Sequence, residues 1–583
     1  MVWLRPLLAL PAAACWAGGA WHAPAAAALA APAAPAPYHP ADLVLLNGKV
    51  VTLDARSRIA QALAVRDGLI VAVGSNGEVL RWIGPETRVV DVGGRTVIPG
   101  LIDSHTHGLL AGLTYGAELS WASVTSLEQG LRLIAEMARR SPAGTWIVVG
   151  GGWHQDQFRE RRGPTPQELD QVAPEHPVYV QHLGQYAVLN RRALLALGLA
   201  SDSPDPPQGR LVRDAAGRLT GLVTGDWRTF AHLSSRIPRP SWDQQLAGTR
   251  EYLRQLTRWG VTGIIDAGGV APAAELYRPV AHLWASGQLP LRVRYLASAQ
   301  TPGQEVEELA RWAALLPAGF GDDMLRFLGF GEVLVWDAHD GDRFGQKMEL
   351  LPDALERVEK VLRLAAERGY SVHLHASNDY TARQLLAILE RVNREVPLGR
   401  LRWCVAHLED GSEATLQRLR ALGLAWCVQS RLYFQGERFR AALGDAAASR
   451  APPIRAALQQ DVVVAAGTDG PRLSPANPFV TMWWLLTGAT VSGTALRGPD
   501  QVPTREEALR MFTLAGAWLS REEDRRGSLE VGKWADLAVL DRDVLTVPVE
   551  QVKDIESMLT VVGGRVVYAR EWFQFLEQPA GRR

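Results

Sequence analysis

The pattern of hydrophobic and polar residues changes along the chain and predicts different kinds of secondary structure in its parts. Between residues 42 and 97, short apolar runs alternate with turn pairs such as Asn47-Gly48, a pattern that favours β-hairpins. The same pattern returns at 535–540 and 558–567. We predict that both ends of the chain contribute strands to one small β-sandwich domain.

The middle of the chain, from about residue 100 to about residue 521, alternates apolar strand-like runs with segments of helical periodicity. This alternation predicts an α/β fold, a TIM-like (β/α)8 barrel with a parallel sheet. An opening strand that ends at 99–107 is followed by seven more predicted strands, 261–267, 291–296, 325–335, 370–376, 401–407, 424–430 and 462–469. Helical patterns lie between them at 242–259, 355–368, 382–392 and 414–422.

Residues from about 110 to about 240 are more than one strand-to-helix connection needs. We interpret them as an inserted subdomain over the barrel mouth. The predicted organisation is a leader at 1–37, the first part of the β-sandwich at 38–98, the barrel at 99–521, and the second part of the β-sandwich with a tail at 522–583.

The first 37 residues have a composition of their own. Arg5 precedes an apolar run at 7–14, and an Ala/Pro-rich tract continues to Pro37. This is typical of a secretory signal and predicts an exported protein, periplasmic or extracellular. A disordered cytosolic leader is the alternative. The run is too short and interrupted for a transmembrane helix, and a lipoprotein anchor at Cys15 is less favoured because the usual preceding Leu is missing.

Overall composition narrows the class of protein. The 583 residues carry a formal net charge of zero and are 47% hydrophobic, an ordinary globular balance. No basic face or charge run indicates nucleic-acid binding, and no second apolar stretch reaches membrane length. Beyond the leader, Cys404 and Cys427 lie in apolar runs, and buried free thiols are the default interpretation. The expected partner is a small-molecule substrate, and a homodimer is an open alternative.

Polar side chains stand at the ends of four predicted barrel strands. His105 and His107 are two residues apart, so on a strand both imidazoles point to the same face. His375, His407 and Asp469 end the fifth, sixth and eighth strands. Because barrel enzymes keep their chemistry at the carboxyl ends of the strands, these groups are expected to meet there. Imidazoles with a carboxylate suit zinc or a similar divalent ion that keeps an open position for water.

These segments resemble the amidohydrolase superfamily, in the family-3 branch that includes N-substituted formamide deformylases. The matching segments are 99–107, 260–267, 375–379, 406–407, 467–469 and 527–537. The resemblance implies a TIM-like barrel beside a β-sandwich and a centre with one or two divalent ions, zinc foremost. It also implies hydrolysis of a non-peptide C–N bond, of amide or formamide type. An ester or lactone hydrolase with the same centre and a catalytically decayed binding protein are the alternatives.

The resemblance also assigns roles to residues. His105 and His107 would bind the more buried ion, and His375 and His407 would bind a second ion or position the substrate. Asp469 would be a metal ligand, the general base, and then the proton donor to the leaving group.

Glu332 stands closest to the position where many relatives have a carboxylated lysine that bridges two ions. Its carboxylate could bridge two cations. A site with one ion, or a buried hydrogen-bonding role for Glu332, is the alternative. Asp337 is a weaker candidate.

Several positions near the expected substrate depart from the family pattern. Ala406 replaces a frequent Glu, Gln185 replaces a common His, and the segment 430–433 replaces a Pro/His pattern. Other histidines, among them His339, carry no supporting pattern. The candidate substrate-binding residues are Trp153, His154, His182, Arg431 and Tyr433.

Overall fold

The computed structural model describes residues 39–269, 273–341 and 343–576. The predicted signal peptide and leader lie outside these residues, so export stays a prediction. Among the described residues, no helix combines the length and the apolar character that crossing a membrane requires.

The strands of the described residues are β1 (Leu43–Leu46), β2 (Lys49–Val51), β3 (Ile59–Ala60), β4 (Ala62–Arg66), β5 (Leu69–Gly74), β6 (Arg88–Asp91), β7 (Thr96–Pro99), β8 (Leu101–Thr106), β9 (Ile147–Val149), β10 (Val178–His182), β11 (Tyr186–Leu189), β12 (Arg210–Arg213), β13 (Leu219–Thr224), β14 (Val261–Asp266), β15 (Arg292–Ala297), β16 (Leu325–Phe330), β17 (Ser371–Ala376), β18 (Cys404–His407), β19 (Ala425–Gln429), β20 (Val464–Gly467), β21 (Leu537–Leu540), β22 (Ser557–Val562) and β23 (Arg565–Ala569).

The α-helices are α1 (Asn76–Leu80), α2 (Gly108–Gly112), α3 (Leu127–Arg140), α4 (Pro166–Val172), α5 (Arg191–Ala196), α6 (Trp227–Ser234), α7 (Trp242–Arg258), α8 (Ala273–Ala285), α9 (Glu305–Leu315), α10 (Pro352–Glu367), α11 (Asp379–Glu395), α12 (Glu413–Ala421), α13 (Arg431–Leu443), α14 (Asp445–Ala448), α15 (Ile454–Gln459), α16 (Pro478–Thr487), α17 (Arg505–Met511) and α18 (Leu514–Leu519).

Eight parallel strands form the central sheet, in the order β20-β19-β18-β17-β16-β15-β14-β8. The two outer strands meet where they end, because the N–H of Asp469 donates to the carbonyl of His105 at 2.8 Å. The sheet is therefore a nearly closed barrel, and the predicted TIM-like fold is confirmed. Strand side chains are buried on both faces, as expected when helices cover a parallel sheet.

The amphipathic helices cover the barrel with their apolar faces. In α11, the Asn378 side chain caps the N-terminus by accepting the N–H of Thr381, and Leu385, Leu386 and Leu389 are buried.

The fourth barrel strand ends earlier than the sequence pattern predicts, which changes the position of Glu332. The predicted strand at 325–335 ends at Phe330, so Glu332 lies in the loop after β16.

Strands from both ends of the chain pair in one sheet. β7 runs antiparallel to β21, with Pro99 opposite Leu537, inside the six-stranded sheet β23-β22-β21-β7-β2-β3. A second sheet, β5-β4-β1-β6, packs against it around residues such as Leu43 and Leu559. The barrel is thus anchored at its beginning and at its end by the same β-structure.

The region between β8 and β14 contains a separate five-stranded sheet, β12-β13-β11-β10-β9, with its own apolar cores. It contacts segments that follow the carboxyl ends of the barrel strands, the loop after β20 and helix α13 after β19. The N–H of Gly152 donates to the carbonyl of Arg472 at 2.8 Å, and Gln185 Nε2 donates to Gln435 Oε1 at 3.2 Å. The insertion therefore covers the rim where the candidate site residues lie.

A buried carboxylate holds the opposite end of the barrel together. Glu522, after α18, is fully buried and accepts from Arg294 of β15 at 2.6 and 3.0 Å and from Arg326 of β16 at 3.1 Å. Arg526 forms a further ion pair with it at 2.6 Å. Burial alone would raise the pKa of Glu522, but Arg526 and then Arg294 outweigh burial and lower it to about 2.

We expect Glu522→Gln to lower the free energy of unfolding by about 3–5 kcal/mol, because it leaves buried arginines without a counter-ion. Urea titration followed by circular dichroism measures this change. Since the folded pKa of Glu522 lies below the unfolded value of about 4.3, its contribution is present above that pH and is lost as the pH falls towards 2. The control is Glu356→Gln, which removes an exposed pair with Lys360 and should cost less than about 1 kcal/mol. Equal effects of the two changes would contradict this role.

Candidate metal centre

The carboxyl ends of the barrel strands bring the six predicted metal ligands into one cluster. One histidine lies in β8 and another directly follows it, β17 and β18 supply one histidine each, and the two carboxylates follow β16 and β20. These residues are His105, His107, Glu332, His375, His407 and Asp469. Their roles as ligands stay predictions, but their proximity is a property of the fold.

Glu332 stands at the centre of the cluster. Its Oε2 lies 2.9 Å from His105 Nε2 and 3.1 Å from His407 Nε2. Its Oε1 lies 3.6 Å from His375 Nδ1 and 3.8 Å from His107 Nε2. One carboxylate therefore faces four imidazoles.

Asp469 closes one side of the cluster. Its Oδ1 lies 3.2 Å from His107 Nε2 and 3.8 Å from His105 Nε2. Two ligands at about 2.1 Å from one tetrahedral ion are about 3.4 Å apart. The distances from the nitrogens of His105 and His107 to the oxygens of Asp469 and Glu332 run from 2.9 to 3.8 Å, on both sides of that value. The four side chains therefore have the spacing of ligands around one divalent ion.

Several buried polar atoms of the cluster have no hydrogen-bond partner in the part of the chain that the structure describes. They are both ring nitrogens of His105, Nδ1 of His375, Nδ1 of His407 and both carboxylate oxygens of Asp469. The close approaches of His105 to Glu332 and of Asp469 to His107 lack the angles of a hydrogen bond. Buried polar atoms are rarely left unpaired because each costs free energy. A bound cation would satisfy those that point into the centre, and the donor set of imidazole and carboxylate suits zinc.

The neighbours of the histidines fix which ring nitrogen is available. His107 Nδ1 donates to the carbonyl of Gly268 at 2.8 Å, which leaves Nε2 for a ligand. His375 Nε2 lies 3.0 Å from Asp340 Oδ1, which leaves Nδ1. Asp340 is held in turn by the backbone N–H groups of Ser377 and Asn378. Such outer partners are typical of metal-binding histidines.

Two of the strand-end residues have a left-handed backbone. His407 has φ = 76° and Asp469 has φ = 56°, a conformation that costs a non-glycine residue about 1–3 kcal/mol. The hydroxyl and N–H of Thr468 donate to Asp103 at 2.6 and 2.8 Å and hold the backbone in place next to Asp469. The surrounding barrel thus maintains a strained geometry that directs Asp469 into the centre.

Burial and charge set the protonation of the cluster. Burial lowers the pKa of His105 to about 4. Burial would raise the pKa of Glu332, but the attraction of His105 and the neighbouring histidines holds it well below its usual range. At neutral pH, His105 is therefore neutral and Glu332 ionised, the forms that bind a cation. Asp469 outweighs burial and raises the pKa of His107 to about 10, and Asp340 does the same for His375, so these two rings bind a cation only by releasing a proton.

Arg431 contributes a positive charge beside the predicted general base. Its Nε lies 3.5 Å from Asp469 Oδ2 and 4.0 Å from Glu409 Oε1, and its Nη1 donates to Ser377 at 3.1 Å. Arg431 is buried and lines the cavity described next. Its role in substrate binding stays a prediction.

A cavity of about 1110 Å³ opens above the cluster. The barrel provides its floor, and the insertion provides much of its wall. Apolar and aromatic side chains such as Leu110, Trp146, Trp227 and Phe230 line it, together with Gln185. The cavity is large enough for a drug-sized molecule.

Four of the five candidate substrate-binding residues do not line this cavity. Trp153 is buried in the core of the insertion, and its Nε1 donates to the carbonyl of Gln181 at 2.8 Å. His182 stacks on Tyr186, and its ring lies 5.0 Å from that of His154. Tyr433 packs against Trp483.

The sequence pattern missed two residues of the cluster. His339 stacks on His375, with ring centroids 3.5 Å apart, and Asp340 supports His375 from the other side. Burial, and then His375, lower the pKa of His339 to about 3. Both residues lie in the loop after β16, beyond the end of the predicted strand 325–335. Asp337 of this loop points away and pairs with Arg357 at 2.6 Å.

Ligand atoms within 4.8 Å of one another occur in two overlapping groups of three in the described part of the chain. One group is His105, His107 and Glu332, and the other is Glu332, His339 and His375. Glu332 belongs to both, as a bridging carboxylate would.

Comparison with known proteins gives a consistent result. A sequence profile of the amidohydrolase family matches residues 88–568. The chain is 29% identical over 550 residues to the N-substituted formamide deformylase of Arthrobacter pascens, covering 91% of this chain and 98% of the relative. Among solved structures, it is similar to an uncharacterized metal-dependent hydrolase of Pyrococcus horikoshii, with 19% identity, a TM-score of 0.64, and coverage of 87% and 99%. A second such hydrolase, of Pyrococcus furiosus, gives 22% identity, a TM-score of 0.63, and coverage of 86% and 100%.

We expect protein purified without chelators to contain divalent metal, measured by elemental mass spectrometry, because a cation compensates the unpaired buried donors of the cluster. Glu332→Ala should lower the metal content, since it removes the carboxylate shared by both groups. Glu356→Ala, on the surface of α10, serves as the control. Metal content that stays the same in Glu332→Ala would show that this carboxylate is not a ligand, and no metal after reconstitution would contradict the centre.

Proposed function

The chain belongs to the amidohydrolase family, and from this premise we propose that it hydrolyses an amide- or formamide-type C–N bond of a small molecule. The observation that carries the proposal is the cluster at the barrel rim, where Glu332 and Asp469 face His105 and His107 at the spacing of metal ligands. We propose zinc as the ion, with one or two ions per chain. The relative from Arthrobacter pascens, named as a deformylase of N-substituted formamides, supports the choice of bond.

The residues of the centre have different roles in the proposed reaction. A bound divalent ion would lower the pKa of its water towards neutrality and polarise the scissile carbonyl. His105, His107 and Glu332 would hold the ion. Asp469 is the general base, because its carboxylate lies beside the same histidines and faces the cavity.

The electrostatic environment keeps Asp469 ionised. Burial alone would raise its pKa, but the contact with His107 and the charges of His407 and Arg431 outweigh burial and hold the pKa below its usual range. The base is therefore available throughout the neutral pH range, and protonation of the free base does not limit turnover there.

One carboxylate can carry out both proton transfers of the reaction. Asp469 accepts a proton from the attacking water as the water oxygen bonds to the carbonyl carbon. It then gives that proton to the nitrogen as the C–N bond breaks. The products are a carboxylic acid, formic acid in the case of a formamide, and an amine.

The cavity indicates the size of the substrate. A formyl group fills only a small part of about 1110 Å³, so the remaining space suits a sizeable substituent. Trp146, Trp227 and Phe230 on the insertion side would contact it, because these side chains line the cavity. We propose a substrate with an apolar or aromatic group on one side of the C–N bond.

A panel of formamides, other amides, esters and lactones with matched aromatic substituents tests the bond type. We expect the metal-loaded protein to hydrolyse the amide or formamide members. The released amine is the measured product. Preference for esters or lactones would show that the centre serves a different leaving group. Failure of the whole panel with metal bound would favour a binding protein whose catalysis has decayed.

Asp469→Asn should lower kcat by about 10²–10⁴-fold, the range for loss of general acid–base catalysis, while circular dichroism shows an intact fold. The amide keeps the size of the side chain but cannot accept the proton. Asp461→Asn, an exposed carboxylate on the same part of the chain, should leave kcat unchanged. Near wild-type turnover of Asp469→Asn would contradict its role as the base.

A further inference from the structure

A fifth imidazole stands beside Glu332 and has no role in the mechanism above. His339 lies in the loop after β16, is 7% exposed and lines the cavity. Its Nε2 is 3.8 Å from Glu332 Oε1, within the distance at which a shared cation could bind both. We propose that His339 is not a metal ligand but a neutral hydrogen-bond donor, whose Nε2–H binds the carbonyl oxygen of the substrate. The catalytic part of this inference rests on the proposed function.

The hydrogen bond of the opposite ring nitrogen identifies the tautomer. The backbone N–H of Gly341 donates to His339 Nδ1 at 3.1 Å. A backbone N–H can only donate, so Nδ1 must present its lone pair, and the proton of the neutral ring is on Nε2. A metal ion at Nε2 would need a lone pair on that nitrogen, but in this tautomer Nε2 carries the proton. This distinguishes His339 from His107, whose Nδ1 donates to a carbonyl, so that Nε2 carries the lone pair when that ring is neutral.

The donor is available to a substrate. A separation of 3.8 Å between Nε2 and Glu332 Oε1 is too long for a full hydrogen bond. The same oxygen lies 3.8 Å from His107 Nε2, so it stands between the proposed ion site and the imidazole of His339. A carbonyl oxygen at the cavity floor beside Glu332 would therefore have the Nε2–H of His339 as a neighbour.

The ring of His339 is held rigidly in place. It stacks on His375 with ring centroids 3.5 Å apart and planes at 19°, and Asp340 fixes His375. The carbonyl of His339 accepts from Arg228 at 3.4 Å, and Arg228 also donates to the carbonyl of Trp336 at 2.6 Å. The insertion thus fastens the loop that carries the donor.

A rigid donor aimed at the carbonyl oxygen is the arrangement that stabilises a tetrahedral transition state. When water adds to the carbonyl carbon, the oxygen gains negative charge and its hydrogen bond to Nε2–H strengthens. The proton stays on His339, so the transfer steps of Asp469 are unchanged. Loss of one such donor costs about 10²–10³ in kcat in enzymes with an oxyanion hole.

Kinetics and metal content of two variants separate a donor from a ligand. With the substrate that the panel identifies, we expect His339→Ala to lower kcat by about 10²-fold with a smaller change in KM. His339→Gln, whose amide can donate, should recover part of the loss. Both variants should keep the wild-type metal content by elemental mass spectrometry. The control is His282→Gln, on the exposed side of α8 and outside the cavity.

Unchanged kcat in His339→Ala would overturn the donor role, and a lost equivalent of metal would identify His339 as a ligand. A measurement independent of turnover uses the zinc-loaded protein labelled with ¹⁵N-histidine, with the His339 signals assigned by their absence in His339→Gln. A proton on Nε2 and none on Nδ1 is the expected result. A metal-bound Nε2 overturns the proposal even if no member of the panel is hydrolysed, so failure here is distinct from failure of the proposed function.

Discussion

The structure depends on the burial of two carboxylates among imidazoles at one rim of the barrel. Glu332 and Asp469 lie within 4 Å of histidine nitrogens, yet several of the polar atoms involved have no hydrogen-bond partner among the described residues. Such an arrangement costs free energy unless a cation compensates it. The barrel, its strained strand ends and the outer partners of the histidines all serve to keep these groups in place against that cost.

The two ends of the barrel solve the problem of buried charge differently. At the amino ends of the strands, Glu522 is paired with three arginines and joins β15 and β16 to the segment after α18. At the carboxyl ends, Asp469, which lines the cavity, and the buried His105 keep polar atoms without a hydrogen-bond partner among the described residues. Paired charges at the amino ends stabilise the fold, whereas polar atoms at the carboxyl ends are left for binding, the usual division in barrel enzymes.

The insertion and the barrel contribute different parts of the cavity. The metal cluster belongs to the barrel alone, whereas Trp146, Trp227 and Phe230 of the insertion line the cavity above it. Arg228 of the same region holds the loop that carries His339. Changes in the insertion can therefore alter both the substrate that fits and the position of a donor at the centre.

The sequence by itself determined the barrel, since period-two and period-3.6 patterns alternate with regular spacing, and it identified the residues at the strand ends, because their position follows from where apolar runs stop. It could not place Trp153 or His182, since burial in the insertion core depends on contacts between distant segments. It also missed His339, which lies four residues beyond the predicted strand 325–335 and carries no pattern of its own. Only the tertiary structure decided that Glu332 faces four strand-end histidines and that Gly341 fixes the tautomer of His339. Those contacts join residues from separate strands and loops, and no local pattern records them.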